Sequence, residues 1–152
     1  MARFTTEQAT AIAAIQQTVN DWARELDVNN GLAVPALVTE DCAYTVGGTK
    51  RIGPAGVQEF YDQRLARLQA TPEGVPTMRH IVSNLRVAFR SGREAGITFS
   101  LVFFSTAGQA SGLEHADPAA VADVEMDLRA GDDGDWKIAR FDSGQTFRRV
   151  AK

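Results

Sequence analysis

Apolar residues recur along the opening segment at Ile12, Ile15, Val19, Trp22 and Leu26, in alternating steps of three and four with mostly polar or small residues between them. That period puts all five on one face of an amphipathic helix. Thr5 and Gln8 form the reciprocal capping signature at its start, and Asn29, Asn30 and Gly31 tolerate the left-handed backbone on which helices stop. A short second helical piece is expected to follow through Leu37. Cys42, Tyr44 and Val46 alternate with Ala43 and Thr45, which predicts a brief strand closed by a Gly47-Gly48 turn. Pro54 stands where a first helical turn accepts proline, and Val57, Phe60, Tyr61, Leu65 and Leu68 form the stripe of a third helix. The Pro- and Gly-containing segment 71–76 breaks it.

From Met78 the period shortens to two, predicting strands near 78–90, 96–105, 118–129 and 136–147. A short turn at 91–94, a longer Gly/Ser/Ala connection and the acidic turn at 131–135 join them. Helices followed by consecutive long strands argue for an α+β fold, an antiparallel meander with the helices packed on one face of a curved sheet. No internal repeat or composition shift divides the chain, so residues 1–152 are expected to form one domain.

At 152 residues the chain is long enough for a core without staples. The single cysteine, Cys42, cannot make an internal disulfide, and no Cys/His cluster has zinc spacing. The start of the chain lacks a signal peptide's apolar core and no stretch is apolar for long enough to span a bilayer, so a cytoplasmic, non-membrane protein is expected. A net charge of −3, with arginines scattered instead of clustered, argues against a nucleic-acid partner. The acidic run at 131–135 lacks the ordered ligand series of a calcium loop and reads as a solvated hairpin turn. Neither a phosphate-cradling glycine loop nor a nucleophile elbow is present, so no cofactor is implied.

Histidine titrates nearest to working pH, and the chain has two. His115 lies in a polar loop and reads as solvent-exposed. His80 opens a strand whose period places it on one face with Val82, Asn84 and Arg86, opposite Ile81, Ser83, Leu85, Val87 and Phe89. Periodicity leaves open whether that face lines an enclosed space or the exterior. Asp27 ends the first helix beside the buried Leu26, on the border between core and water. It reads either as a solvated carboxylate, mildly disfavoured by the helix dipole, or as a functional group.

The run from His80 to Val87, Asp27 at the end of the first helix, Glu40-Asp41 before Tyr44, the Gly53-Pro54-x-Gly56 helix start and Trp136-Lys137 in the last strand resemble, in that order, one family. It is the SnoaL-like branch of the nuclear-transport-factor-2-like superfamily, which includes scytalone dehydratase and hexachlorocyclohexane dehydrochlorinase. The resemblance implies a cone: a strongly bent mixed sheet wrapped by three helices, usually dimeric, around a deep apolar pocket. It implies catalytic roles for Asp27 and His80, and pocket roles for Trp22, Tyr44, Val82, Asn84 and Phe141. A carboxylate on one ring nitrogen would fix the tautomer and stabilise the imidazolium while the other nitrogen takes a proton from carbon.

The chain departs from the dehydrochlorinase pattern where a pocket arginine of the last strand is replaced near Phe141; Arg140 is adjacent, and a one-residue slip would exchange their faces. The hydroxyl-bearing pocket tyrosines and second histidine of scytalone dehydratase have no match. The resemblance therefore implies a cofactor-free lyase or isomerase for a small apolar or cyclic compound, with loss of water favoured over loss of halide. The alternatives are a binding or accessory module, like the small subunits of ring-hydroxylating dioxygenases, and a polyketide cyclase.

Overall fold

The structure is a computed structural model that describes residues 4–106, 108 and 117–148. His115 and most of the long Gly/Ser/Ala connection lie outside the described residues.

The first helix, α1 (Thr6–Val28), begins as its sequence dictates: the Thr5 side chain accepts from the Gln8 amide and the Gln8 side chain accepts from the Thr5 amide. Ile15, Val19, Trp22 and Leu26 are buried along one side. At the other end the amides of Asn29 and Gly31 both return to the Glu25 carbonyl, and Asn30 and Gly31 adopt positive φ. Gly31 is required for a second reason: a Cβ there would lie 2.4 Å from ring atoms of Tyr61.

The expected second helix is a single 3-10 turn (Val34–Leu37), so two α-helices and one turn stand where three helices were expected. Pro35 sits in the first turn, where proline is accepted, and the chain becomes extended at Val38, where β1 begins. Strand β1 (Val38–Val46) begins four residues before the alternation at Cys42. Gly47 and Gly48, both at positive φ, form a two-residue hairpin turn into β2 (Thr49–Ile52), a short strand that four polar or exposed residues did not announce. The second helix, α2 (Gly53–Gln69), buries Val57, Phe60 and Tyr61.

Four long strands complete the sheet: β3 (Met78–Ser91), β4 (Glu94–Ser105), β5 (Pro118–Ala130) and β6 (Trp136–Arg148). They pair antiparallel in sequence as the meander expected, and β1 adds in parallel to β6, giving the order β2-β1-β6-β5-β4-β3. The result is an α+β fold in which a bent, mixed six-stranded sheet carries α1 against β3 and α2 against β1. The turn at 131–135 is a tight hairpin connection, with the Gly131 amide on the Asp135 carbonyl. Among the described residues no helix is long and apolar enough to cross a membrane.

One irregularity sets the facing of β3. Ser83 pairs with Ser100 and Arg86 with Thr98, so Asn84 and Leu85 oppose one residue of β4, a bulge with Asn84 at φ 56°. The extra residue inverts the alternation. His80 and Val82 face inward as one set, but beyond the bulge Leu85, Val87 and Phe89 pack on the core while Asn84 and Arg86 are exposed. Strict alternation across the whole strand, which grouped His80 with Asn84 and Arg86, therefore fails at Ser83.

Candidate functional site

β3 lies at the edge of the sheet, so its outer amides lack a neighbouring strand, and the end of α1 crosses there. Asp27 uses this. Its Oδ2 accepts the His80 backbone amide at 3.2 Å and its Oδ1 meets His80 Nδ1 at 2.7 Å. The two side chains are 13% and 9% exposed, so the contact is largely withdrawn from water. One carboxylate thus holds both the strand and the ring. With Nδ1–H donating to Asp27, the neutral imidazole leaves its lone pair on Nε2.

Burial lowers the His80 pKa below the ordinary histidine value, the Asp27 hydrogen bond and charge act to raise it, and the Arg64 charge lowers it further; the balance is downward. At neutral pH the ring is therefore unprotonated and available as a base.

The His80 ring stacks on Phe103, its register partner on β4, at 4.6 Å between centroids. Trp22 approaches it edge-on. Both belong, with His80, to the wall of a cavity of about 290 Å³ that also includes Leu26, Tyr44, Phe60, Tyr61, Arg64 and Phe141. Tyr44 and Phe141, paired in register on β1 and β6, stack at 4.4 Å with their planes 14° apart. Trp22 Nε1 donates to the Tyr44 hydroxyl at 2.9 Å, and the Tyr44 and Tyr61 hydroxyls are 2.6 Å apart. Burial drives the Tyr44 pKa well up and that of Tyr61 to about 12, so both remain phenols. Cys42 is likewise buried, its thiol pushed up to about 12 by desolvation and then by Asp41, which makes it a poor nucleophile.

Of the residues singled out in the sequence, His80, Trp22, Tyr44 and Phe141 converge on this cavity, with Asp27 behind His80 on the solvent side. Val82 and Asn84 do not line it. They belong to a larger groove of about 670 Å³ between α1 and β3, whose wall contains no carboxylate or histidine. The smaller cavity combines His80, the member of the titratable pair that reaches it, with an aromatic wall, the combination that chemistry on a small molecule needs. The register also decides between the two candidates on β6: Phe141 faces the cavity, while Arg140 turns to the opposite face, where Nε meets Asp127 at 2.8 Å and Nη2 meets Glu125 at 3.2 Å.

Sequence reasoning missed Arg64 and did not single out Tyr61 as a wall residue. Arg64 stands at the i+3, i+4 and i+7 positions from Tyr61, Phe60 and Val57, in the apolar stripe of α2. A guanidinium in a core-facing position was the available signal.

A family model of the SnoaL-like domain matches residues 7–142. No curated protein matches the sequence. Among solved structures, a candidate scytalone dehydratase from Novosphingobium aromaticivorans DSM 12444 is 18% identical with a TM-score of 0.75, over 98% of this chain and 94% of that one. The hexachlorocyclohexane dehydrochlorinase LinA-type3 from Novosphingobium barchaimii LL02 is 17% identical with a TM-score of 0.74, over 94% and 91%. ActVI-ORFA from Streptomyces coelicolor is 13% identical with a TM-score of 0.74, over 89% and 97%. At these identities the likeness is one of fold.

Proposed function

The chain belongs to the SnoaL-like domain family, and from that premise we propose that it is a cofactor-independent lyase or isomerase acting on a small apolar or cyclic metabolite. The observation that carries this reading is the 2.7 Å Asp27–His80 contact beside a largely apolar cavity whose wall His80 joins. Neutral His80 takes a proton from a substrate carbon through Nε2. Asp27, already bonded to Nδ1, holds the tautomer and stabilises the imidazolium that forms. A β leaving group then departs or a double bond migrates. A positioned base of this kind contributes on the order of a hundred- to ten-thousandfold in rate.

Loss of water is favoured over loss of halide because the imidazolium can return its proton to a departing hydroxyl; Arg140 is turned away from the cavity and engaged by Asp127 and Glu125, which leaves Arg64 as the arginine of its wall. Dehydratase and dehydrochlorinase proteins among the structural neighbours support the lyase class. Trp22, Tyr44 and Phe141 would flank the ring of the substrate. We take the working assembly to be a homodimer, to be checked by sizing of the isolated protein.

The test is a screen of hydroxylated aromatic, terpenoid and steroid-like compounds, without added cofactor, against the wild type, His80→Ala and Asp27→Asn. Turnover is expected in the wild type and its loss in both variants, with the thermal transition preserved. Retained turnover in both would reject the mechanism.

A further inference from the structure

Arg64 has no task in that proton transfer, yet it stands in the same wall. Its Nη2 meets the Met78 sulfur at 2.9 Å, a weak acceptor. Its Nη1 is buried with no hydrogen-bond partner among the described residues. Among the described residues no carboxylate lines the cavity, and their ion pairs use His80, Arg90, Arg93, Arg129 and Arg140 instead. Arginine stays protonated in proteins, so this is a half-buried cation without a counter-charge among the described residues, one of its nitrogens buried and unsatisfied.

A second donor is also unspent. Tyr44 and Tyr61 each carry one hydroxyl proton, and their mutual contact uses one of the two. Trp22 supplies another donor to this pair, not an acceptor. Whichever tyrosine donates, one phenolic proton has no acceptor among the described residues, and neither Ser143 nor Gln145, the other polar wall residues, bonds to it. The cavity therefore offers a positive charge and two free donors in a wall otherwise mostly apolar and aromatic. The matching ligand has an oxygen rich in lone pairs and negative charge.

We infer that Arg64, with the spare hydroxyl of the Tyr44–Tyr61 pair, forms an oxyanion subsite, and that the cavity binds a compact ring compound carrying a phenolate or carboxylate oxygen. The volume agrees. A cavity of about 150 Å³ accommodates benzene, so about 290 Å³ takes one substituted ring or two small fused ones. The inference rests on reading this cavity as the substrate site, but not on proton transfer by His80.

The probes are 4-nitrophenol and 4-nitroanisole, the same ring with its oxygen free or methylated, titrated against the quenching of tryptophan fluorescence. Hydrogen bonds to charged groups contribute about 1.5–3 kcal/mol, so the phenolate should bind roughly ten- to a hundredfold tighter than the ether. Bound nitrophenol should also ionise at lower pH than free nitrophenol, read from the phenolate absorbance. Arg64→Met should lose both effects while keeping its affinity for 4-nitroanisole. Arg64→Lys, which retains charge, should keep part of the preference and guards against a fold defect in the methionine variant. The titration reads binding and no turnover, so a failure of the proton chemistry would leave this result standing. Displacement of nitrophenolate by benzoate identifies carboxylate as a natural head group, and displacement by 2-naphtholate but not benzoate identifies phenolate. Equal affinity of the wild type for phenol and ether, or a preference that survives in Arg64→Met, would overturn the inference.

Discussion

Asp27→Asn removes the charge of the pair together with one of the two acceptors that Asp27 presents to His80. The asparagine carbonyl can still accept from His80 Nδ1, as Asp27 Oδ1 does at 2.7 Å, but its amide nitrogen then stands where Oδ2 accepts the His80 backbone amide, so that hydrogen bond goes with the charge. The charge that disappears lies beside an imidazole 9% exposed. Two unit charges about 4 Å apart at an effective dielectric of about 20 attract by roughly 4 kcal/mol. Since about 1.4 kcal/mol is tenfold in rate, losing the partner of a transient imidazolium should slow turnover by up to about a thousandfold. The pair can be checked before any substrate is known. Asp27 raises the His80 pKa against burial and the Arg64 charge, so in Asp27→Asn the His80 titration should move further down. The chain has two histidines, so nitrogen NMR of the imidazoles, assigned with His80→Asn, follows each one. A midpoint that stays in place or rises on substitution would refute the coupling on which the proposed base depends.

Other outcomes follow from the same geometry. The rate should fall on acidification with an apparent midpoint below the usual 6.5, since protonated His80 cannot accept a proton; a midpoint above that value would contradict the downward shift. Because the folded-state value lies below the unfolded one, the unfolded chain takes up the proton first. This histidine should therefore cost stability progressively as pH falls from above 6.5 through the folded midpoint, measurable as a declining Tm. Gly31→Ala places a Cβ 2.4 Å from the Tyr61 ring at a φ of +83°. Overpacking typically costs about 1–3 kcal/mol and each kcal/mol lowers Tm by roughly 2–4 °C in a chain of this size, so calorimetry should show a clear loss; a wild-type melting curve would contradict the contact.

Much of this architecture can be read along the chain. The Thr5–Gln8 cap, the stripe from Ile15 to Leu26 and the four long strands are local patterns, written in side chains a few residues apart. The partners of His80 were open to periodicity only as far as Ser83, because a bulge costs one residue and leaves little trace beyond an asparagine able to adopt positive φ. The short strand β2 escaped notice because its partner β1, not its own composition, makes it a strand. Arg64 was passed over as one charged residue among many, although its place among Val57, Phe60 and Tyr61 was visible. The choice between Arg140 and Phe141 required register, which is a property of two strands. That Asp27 would meet His80, 53 positions away, rested on resemblance, since no local pattern encodes how a helix end crosses a sheet edge.

The bulge at Asn84 also partitions β3. His80, before it, answers to the cavity, and Leu85, Val87 and Phe89, after it, answer to the core, with the reading frame of inside and outside reset between them. Excision of Asn84 alone would restore an unbroken alternation, in which Leu85, Val87 and Phe89 keep the side they share with His80 and Val82 and keep their partners on β4. Exchanging the stretch from Leu85 to Phe89 for another alternating apolar stretch likewise leaves the frame intact, so the two halves of the strand can be edited separately.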